Sequence, residues 1–493
     1  MQLTLWARFA LWAPFALGTS LALGTSLVAT AGSTALAWTP GASPSAQPVD
    51  GNIWVVAPGG SNHAAGTDGD PLRTVDRALR RADPGDTILL RPGTYGGFDI
   101  AVAGRPEAPI TVLGDPAGAV VIDGRLDDRR DTIVMQPGSA YVVLDGLTVT
   151  GSSGSRSAGI LVDRVTSGPI SILRSRLTEN DGYGILVSES RDVTIADSEI
   201  DHDRTGVEVN GDGAGVVIQD DRIHDNDRLI RATPRSVNSN DDYGASGVSL
   251  VRTTGPVLVA GNQVWGNRAP SDDYGWDGSA FEIFSASGVT IRDNSAWDNE
   301  NLLETGTADG APCADDVFAR NVAWGQASRG RARGIILRCG ERMLLAADTL
   351  VDFDDYALMV GSNSPVFSGS LDGARVVDVL LVAADAGAPL WVTSTLPGDL
   401  VIEHALLWND RGPIGRVEGA GETRDLARLQ RWTGQLASSV QAPPLFVDRR
   451  AHDYRLSAGS PAIDAGVAVP GVTDAWAGSA PDLGAIETPC ETP

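Results

Sequence analysis

From residue 159 the chain reads GILVDRVTSGPISILRSRLTENDGY, then GILVSESRDVTIADSEIDHDRT, then GVEVNGDGAGVVIQDDRIHDND. Apolar and polar residues alternate for a few positions, stop at Ser, Asn, Asp or Gly, and resume. A period of two is the signature of a strand with one buried face, and no unit contains a helical period. The opening glycines Gly159, Gly184 and Gly206 stand 25 and 22 residues apart, and the pattern continues at Gly247, Ala280, Leu302, Gly334 and Ala357. Three short strands cannot bury a face alone, but stacked copies make a continuous core. The prediction is an all-β, right-handed parallel β-helix, a solenoid of three-strand coils. Hairpin signals such as Asn-Gly, which a sandwich needs, are scarce. Asn180, Asn226, Asn267 and Asn299 recur at the turn that ends each unit and predict a hydrogen-bonded ladder.

Both ends of such an array must be covered. PLRTVDRALRRA (71–82) predicts a short amphipathic capping helix with Leu72, Val75, Leu79 and Ala82 on one face. TRDLARLQRWTG (423–434) predicts a second helix, and DYRLSAGSPAIDAG followed by PDLGAIE a closing segment. The expected organisation is an export signal over 1–37, a flexible linker over 38–50, a cap with the first coil over 51–95, the β-helix over 96–420, and the C-terminal helix with closing segment over 421–493. The first 37 residues carry one charge, Arg8, and end in Ala35-Leu36-Ala37, a small-x-small cleavage pattern. Their apolar run is interrupted before the ~20 residues a membrane span needs. Export to the cell surface or medium, without membrane insertion after cleavage, is the expectation, and a capped solenoid is expected as a monomer.

Charge narrows the partner. The formal net charge is −25, every cation is arginine, and the chain contains no lysine. Such a surface excludes nucleic acid, whose binding needs a basic face. Of three cysteines, Cys313 and Cys339 are candidates to pair in an oxidising compartment, leaving Cys490 in the tail.

WVVAPGGSN, PGDTILLRPGTY, the coil pattern and the DYRLSAGSPAIDAG ending together resemble secreted bacterial β-helix proteins of the pectate-lyase-like superfamily. The resemblance covers nearly the whole chain after the export signal. It implies the fold more specifically than a reaction, because the superfamily includes lyases, hydrolases, epimerases and proteins without known activity.

Aligning strand starts places the candidate chemistry. In Phe281-Glu282-Ile283 and Leu303-Glu304-Thr305 the middle residue points outward, and the two glutamates are 22 residues, one coil, apart. Stacked strands lie ~4.8 Å apart, so the carboxylates should be axial neighbours. Arg338, two places beyond Ile336, should face outward one coil further on. Asp-Asp-Tyr-Gly occurs twice, at Asp241 and at Asp272, in the turns entering adjacent coils. Asp241, Asp242, Asp272, Asp273 and Asp277 should then crowd one edge of the same sheet. Oxygen-only ligands point to Ca²⁺, functional or structural, with a solvated acidic edge as the alternative.

This arrangement resembles the family nine polysaccharide lyases, which hold Ca²⁺ with aspartates beside this sheet and use a lysine base on an adjacent strand. The resemblance makes Asp241, Asp242, Asp272 and Asp273 the calcium aspartates and sets Glu282 at the lysine position. With no lysine, the base falls to Arg338, as in other pectate lyases, to an ionised Glu282, or to Tyr274. An ion pair between Arg338 and Glu304 is the competing structural role. The leading expectation is calcium-assisted β-elimination on an acidic polysaccharide.

Glycoside hydrolysis by a carboxylate pair (Glu282 and Glu304) or a trio (Asp272, Asp273 and Glu304) is the second, and glycan binding without catalysis the third. His202 and His224 sit in aligned turns, each near an aspartate of the neighbouring coil, as acid/base or polar-turn residues. Trp265, Trp297 and Trp324 recur on three consecutive coils, either as a platform for sugar rings or as cover for folded loops.

Overall fold

The computed structural model describes residues 51–232, 241–307, 310–326, 328–361 and 367–489. The expected export signal, the linker and Cys490 lie outside the described residues. No described helix is long and apolar enough to cross a membrane.

Parallel pairing from coil to coil builds two long sheets. The first strand of each coil enters a 13-stranded sheet, here the front sheet, and the second and third strands form a 23-stranded rear sheet. One turn of the stack runs Thr205–Asn210, Val216–Gln219 and Arg222–His224, and the next coil begins at Ser246–Val251. Alternation sets the register: Val207, Val248, Phe281, Leu303, Ile335 and Leu358 stand in one inward row. All six are buried, so a slip by one residue would turn the row out to water. Glycine opens the coils because the chain bends against its neighbour there. A Cβ at Gly206 would meet Ile223 Cγ2 at 2.6 Å and Gly247 O at 2.7 Å. The architecture is the expected right-handed parallel β-helix.

The predicted asparagine ladder is present with one aspartate in it. The Asn180 amide N–H donates to Asp203, the Asp203 amide to Asn226, and side-chain amides continue from Asn226 to Asn267 and Asn267 to Asn299 at 2.8 and 2.9 Å. A second ladder, in the turn between the two rear strands, runs Asp221, Asn262, Asn294, Asn321 and Asp348.

The N-terminal helix is shorter than its apolar spacing predicts, covering Val75–Leu79. Thr74 caps it, accepting from the Arg77 amide at 3.3 Å, while Leu72 is drawn instead into a bridge with Val56. The second helix covers Leu426–Thr433, between an Asp425 cap and Gly434 in the left-handed region. Cys313 and Cys339 form a disulfide between neighbouring coils, with Cα atoms 6.0 Å apart. The closing segment lies against the rear sheet, where Val469 and Val472 pack on Ala346 and Val377, and Leu456, Ala462 and Leu483 on Leu380 and Leu406.

Candidate functional site

The outward residues of the front sheet form a row that strand register fixes: Glu208, Ser249, Glu282, Glu304, Ile336. Glu282 and Glu304 are direct partners on adjacent strands, as their 22-residue spacing predicts. Glu282 accepts hydrogen bonds from Ser246 Oγ at 2.6 Å and Ser249 Oγ at 3.0 Å. Burial pushes its carboxyl above the usual glutamate range, against the pull of the two serines and of Arg204. Asp277, the last residue of the short strand Gly275–Asp277 that precedes the strand of Glu282, is pushed up to about 7 by burial and then by Glu282 itself. The charge of Glu282 thus favours the protonated form of Asp277.

Arg338 is 7 % exposed and ion-paired with Glu304. Its Nε also donates to the Thr305 carbonyl at 3.1 Å. Burial lowers its pKa, yet a guanidinium remains charged in proteins, so Arg338 acts as a fixed cation rather than as a base. Tyr274 is 53 % exposed and donates its hydroxyl to Asp241 at 2.5 Å. Burial and that aspartate hold the phenol well above its usual range, which disfavours the phenolate needed of a base.

The two Asp-Asp-Tyr-Gly turns are adjacent, and they clasp each other. The Asp242 amide donates to Asp273 Oδ2 at 2.9 Å, and the Asp272 amide donates to Asp242 Oδ2 at 2.7 Å. Asp242 also accepts from the Ala232 amide at 2.8 Å and Ser271 Oγ at 3.0 Å. Burial raises the Asp242 carboxyl, but these donors outweigh it and hold it below the usual range. Asp272 turns to Arg231, and Asp277 accepts from the Gly278 amide at 2.8 Å. Among the described residues no three His, Cys, Asp or Glu side chains converge where an ion would sit. Calcium takes ~6–8 oxygens around one point, whereas here Asp241, Asp242, Asp273 and Asp277 accept from hydroxyls or amides and Asp272 pairs with Arg231. The described residues do not fit the expected calcium site.

The remaining candidates belong to the rear sheet. His224, Trp265, Trp297 and Trp324 stack face to face along the third strands, with centroids 4.1, 4.9 and 4.9 Å apart, and His452 of the closing segment covers Trp324 at 4.9 Å. Each ring face is thereby occupied by the next ring, so the ladder offers edges to solvent rather than the faces on which sugars stack. Asp201 and His224 are in register as predicted. The imidazoles, however, bond to their own neighbours: His202 Nδ1 lies 2.6 Å from Asp201 and His224 Nδ1 2.9 Å from Asp225. The structure does not bring these rear-sheet residues onto the front-sheet row.

Glu208 and Arg204 went unselected in the sequence, although Glu208 occupies the outward position of its strand two coils before Glu282. It is 8 % exposed, accepts from Asn210 Nδ2 at 3.2 Å, and burial raises its pKa. Arg204, in the turn before that strand, is buried beside Tyr183 and Tyr243.

A concavity of about 420 Å³ lies elsewhere, on the rear sheet, lined by Arg174, Arg176, Glu199 and Arg222. Its arginines are paired to Asp145, Asp201 and Glu199, so it is a solvated bend between strands. The front-sheet row is the better candidate, because burial raises the carboxyls of both Glu208 and Glu282 on it.

A family model described as the Pel9A-like, right handed beta helix region matches residues 54–312. The chain is 39 % identical over 72 residues to the pectate lyase PEL9 of Emericella nidulans, 14 % of this chain and 18 % of that enzyme. It thus spans less than a fifth of the length of that curated relative. The crystal structure of pectate lyase Pel9A superposes with a TM-score of 0.50 at 18 % identity, covering 88 % of this chain and 96 % of that one. The complex of XylC with xylose gives 0.55 at 11 % identity, covering 80 % and 86 %. At these identities the structural likeness speaks for the fold.

Proposed function

This chain belongs to the Pel9A-like right-handed β-helix family, and we propose that it is a secreted carbohydrate-active enzyme that cleaves an acidic polysaccharide by β-elimination on the outer face of the front sheet. The observation that carries the reading is Glu282, a desolvated carboxylate at the centre of the outward row, between the buried guanidiniums of Arg204 and Arg338. Desolvation strengthens a carboxylate as a base. In the reaction Glu282 takes the proton from the carbon that bears the sugar's carboxylate. The electron pair forms a double bond to the adjacent carbon, whose bond to the glycosidic oxygen breaks, and the departing oxygen takes a proton from Asp277. Positive charge beside the substrate carboxylate, which acidifies that C–H, comes from arginine.

Hydrolysis is the second reading, favoured by one observation: Asp277, pushed up to about 7, stands beside a second carboxylate, the polarised pair that glycosidases use. Incubation with polygalacturonate, alginate and a neutral glucan, followed for ultraviolet absorbance and for reducing ends, separates the readings. Unsaturated product from an acidic polymer supports elimination, reducing ends without absorbance support hydrolysis, and neither leaves a glycan-binding protein and sinks both.

A further inference from the structure

The three buried arginines among the described residues differ in one respect. Arg268 has Asp298 at 2.9 Å and Glu300 at 3.8 Å, and Arg338 has Glu304. Arg204 is the most buried of them, at 2 % exposure. Glu208 and Glu282 lie near enough to feel its charge, yet among the described residues it has no carboxylate at ion-pair distance. Its Nε donates to the Ser155 carbonyl at 3.1 Å. Its Nη2 has no hydrogen-bond partner. The guanidinium lies 4.2 Å from the Tyr183 ring and 5.6 Å from the Tyr243 ring, and Gly244 passes so close that a Cβ there would meet Arg204 Cγ at 2.7 Å.

A guanidinium stays protonated, so this is a buried cation with an unmet donor, an arrangement that is costly unless an anion completes it. Two aromatic walls hold its plane, so little freedom remains to be lost when a ligand binds. The planar fork matches a carboxylate in two parallel hydrogen bonds. Resting on the reading of the front-sheet row as the site for an acidic polysaccharide, we propose that Arg204 binds the carboxylate of a sugar unit there and makes the site specific for uncapped uronates. Tyr183 and Tyr243 act as positioning residues for it.

The test measures binding in a Glu282→Gln background, so that the polymer is not consumed. The probes are polygalacturonate and the same polymer with its carboxylates methyl-esterified. Esterification should weaken binding about tenfold or more, the value of one charged hydrogen-bond pair. Adding Arg204→Gln should abolish the preference and leave both polymers weakly bound. Equal binding of the two polymers with Arg204 intact, or no binding of either, overturns the proposal, as does a preference that survives Arg204→Gln in a folded protein. If that variant fails to fold, the esterification comparison decides alone. Ester-sensitive binding without turnover would sink β-elimination and keep Arg204, whereas turnover indifferent to esterification would do the reverse.

Discussion

Each Asp-Asp-Tyr-Gly turn holds the other through a backbone amide, and the carboxylate most engaged in this, Asp242, is almost fully buried. Asp242→Ala would strand the amides of Ala232 and Asp272 and the Ser271 hydroxyl, and should cost about 2–3 kcal/mol in a denaturant titration. Asp272→Ala loses an exposed pair with Arg231 and should cost less than about 0.5 kcal/mol. Equal losses would contradict the clasp. Asp277 gives a pH signature. Its native carboxyl, pushed up to about 7, binds a proton the unfolded chain has already released, so the stability it adds is present at low pH and lost as pH rises through about 7. Turnover that needs this proton should fall over the same window, and Asp277→Asn should remove that limb from the pH–rate profile. Alternation and a 22-residue spacing were enough to pair Glu282 with Glu304 before any coordinates. The direction of each aspartate in a turn was not legible, because it depends on which amides the loop leaves open. Arg204 was hidden for the same reason: nothing in IDHDRT says that Tyr183 and Tyr243 close over it.

At the level of the element, the ladders explain why short turns can be stacked so regularly. Each asparagine rung accepts an amide N–H from one coil and donates to a carbonyl of another, as Asn262 Nδ2 does to Ile218 O at 3.0 Å. Asp203, Asp221 and Asp348 occupy rungs of the same kind, and each has an Oδ2 with no partner. Burial raises all three well above the usual aspartate range. A protonated carboxyl can donate as the amide does, so these rungs contribute most below the unfolded aspartate range and lose that contribution as pH rises through their native values. Asp348→Asn should therefore stabilise the protein by about 1–3 kcal/mol at about pH 8 and by little near pH 3. Melting curves at the two pH values check it, and a gain of the same size at both would contradict it. The sequence disclosed the ladder in which asparagine dominates the turns. The second ladder was missed because aspartate stands at both of its ends. The tryptophan ladder was legible as a ladder, but its use was not, since one-coil spacing brings the ring faces onto each other.

For the whole molecule, the closing segment decides which face remains for a partner. It covers apolar positions of the rear sheet, anchors Arg449 to Asp352 and Asp410, and donates the Val467 amide to the buried Asp378. Among the described residues, the apolar clusters it forms there hold no residue of the front-sheet row around Glu282. A chain of net charge −25 repels a polyanion over most of its surface, so on the proposed reading the arginines beside Glu282 must offset that repulsion for an acidic polymer to bind. The solenoid and its end segments were readable because each coil repeats one solution to burying one face. The docking of the closing segment was not, since it rests on contacts far apart in sequence, from Arg449 with Asp352 to the Ala485 amide with Thr349 Oγ1 at 2.9 Å. On the proposed reading, arginine and carboxylate take the place here of the lysine base and calcium that the resemblance to family nine polysaccharide lyases implies. The most direct test is the rate of unsaturated-product formation from polygalacturonate, measured with excess chelator for the wild type and for Glu282→Gln. The wild type should keep its rate in chelator, while Glu282→Gln should lose about 10²-fold or more with its melting temperature unchanged. Loss of wild-type activity in chelator, or full activity in Glu282→Gln, would contradict it.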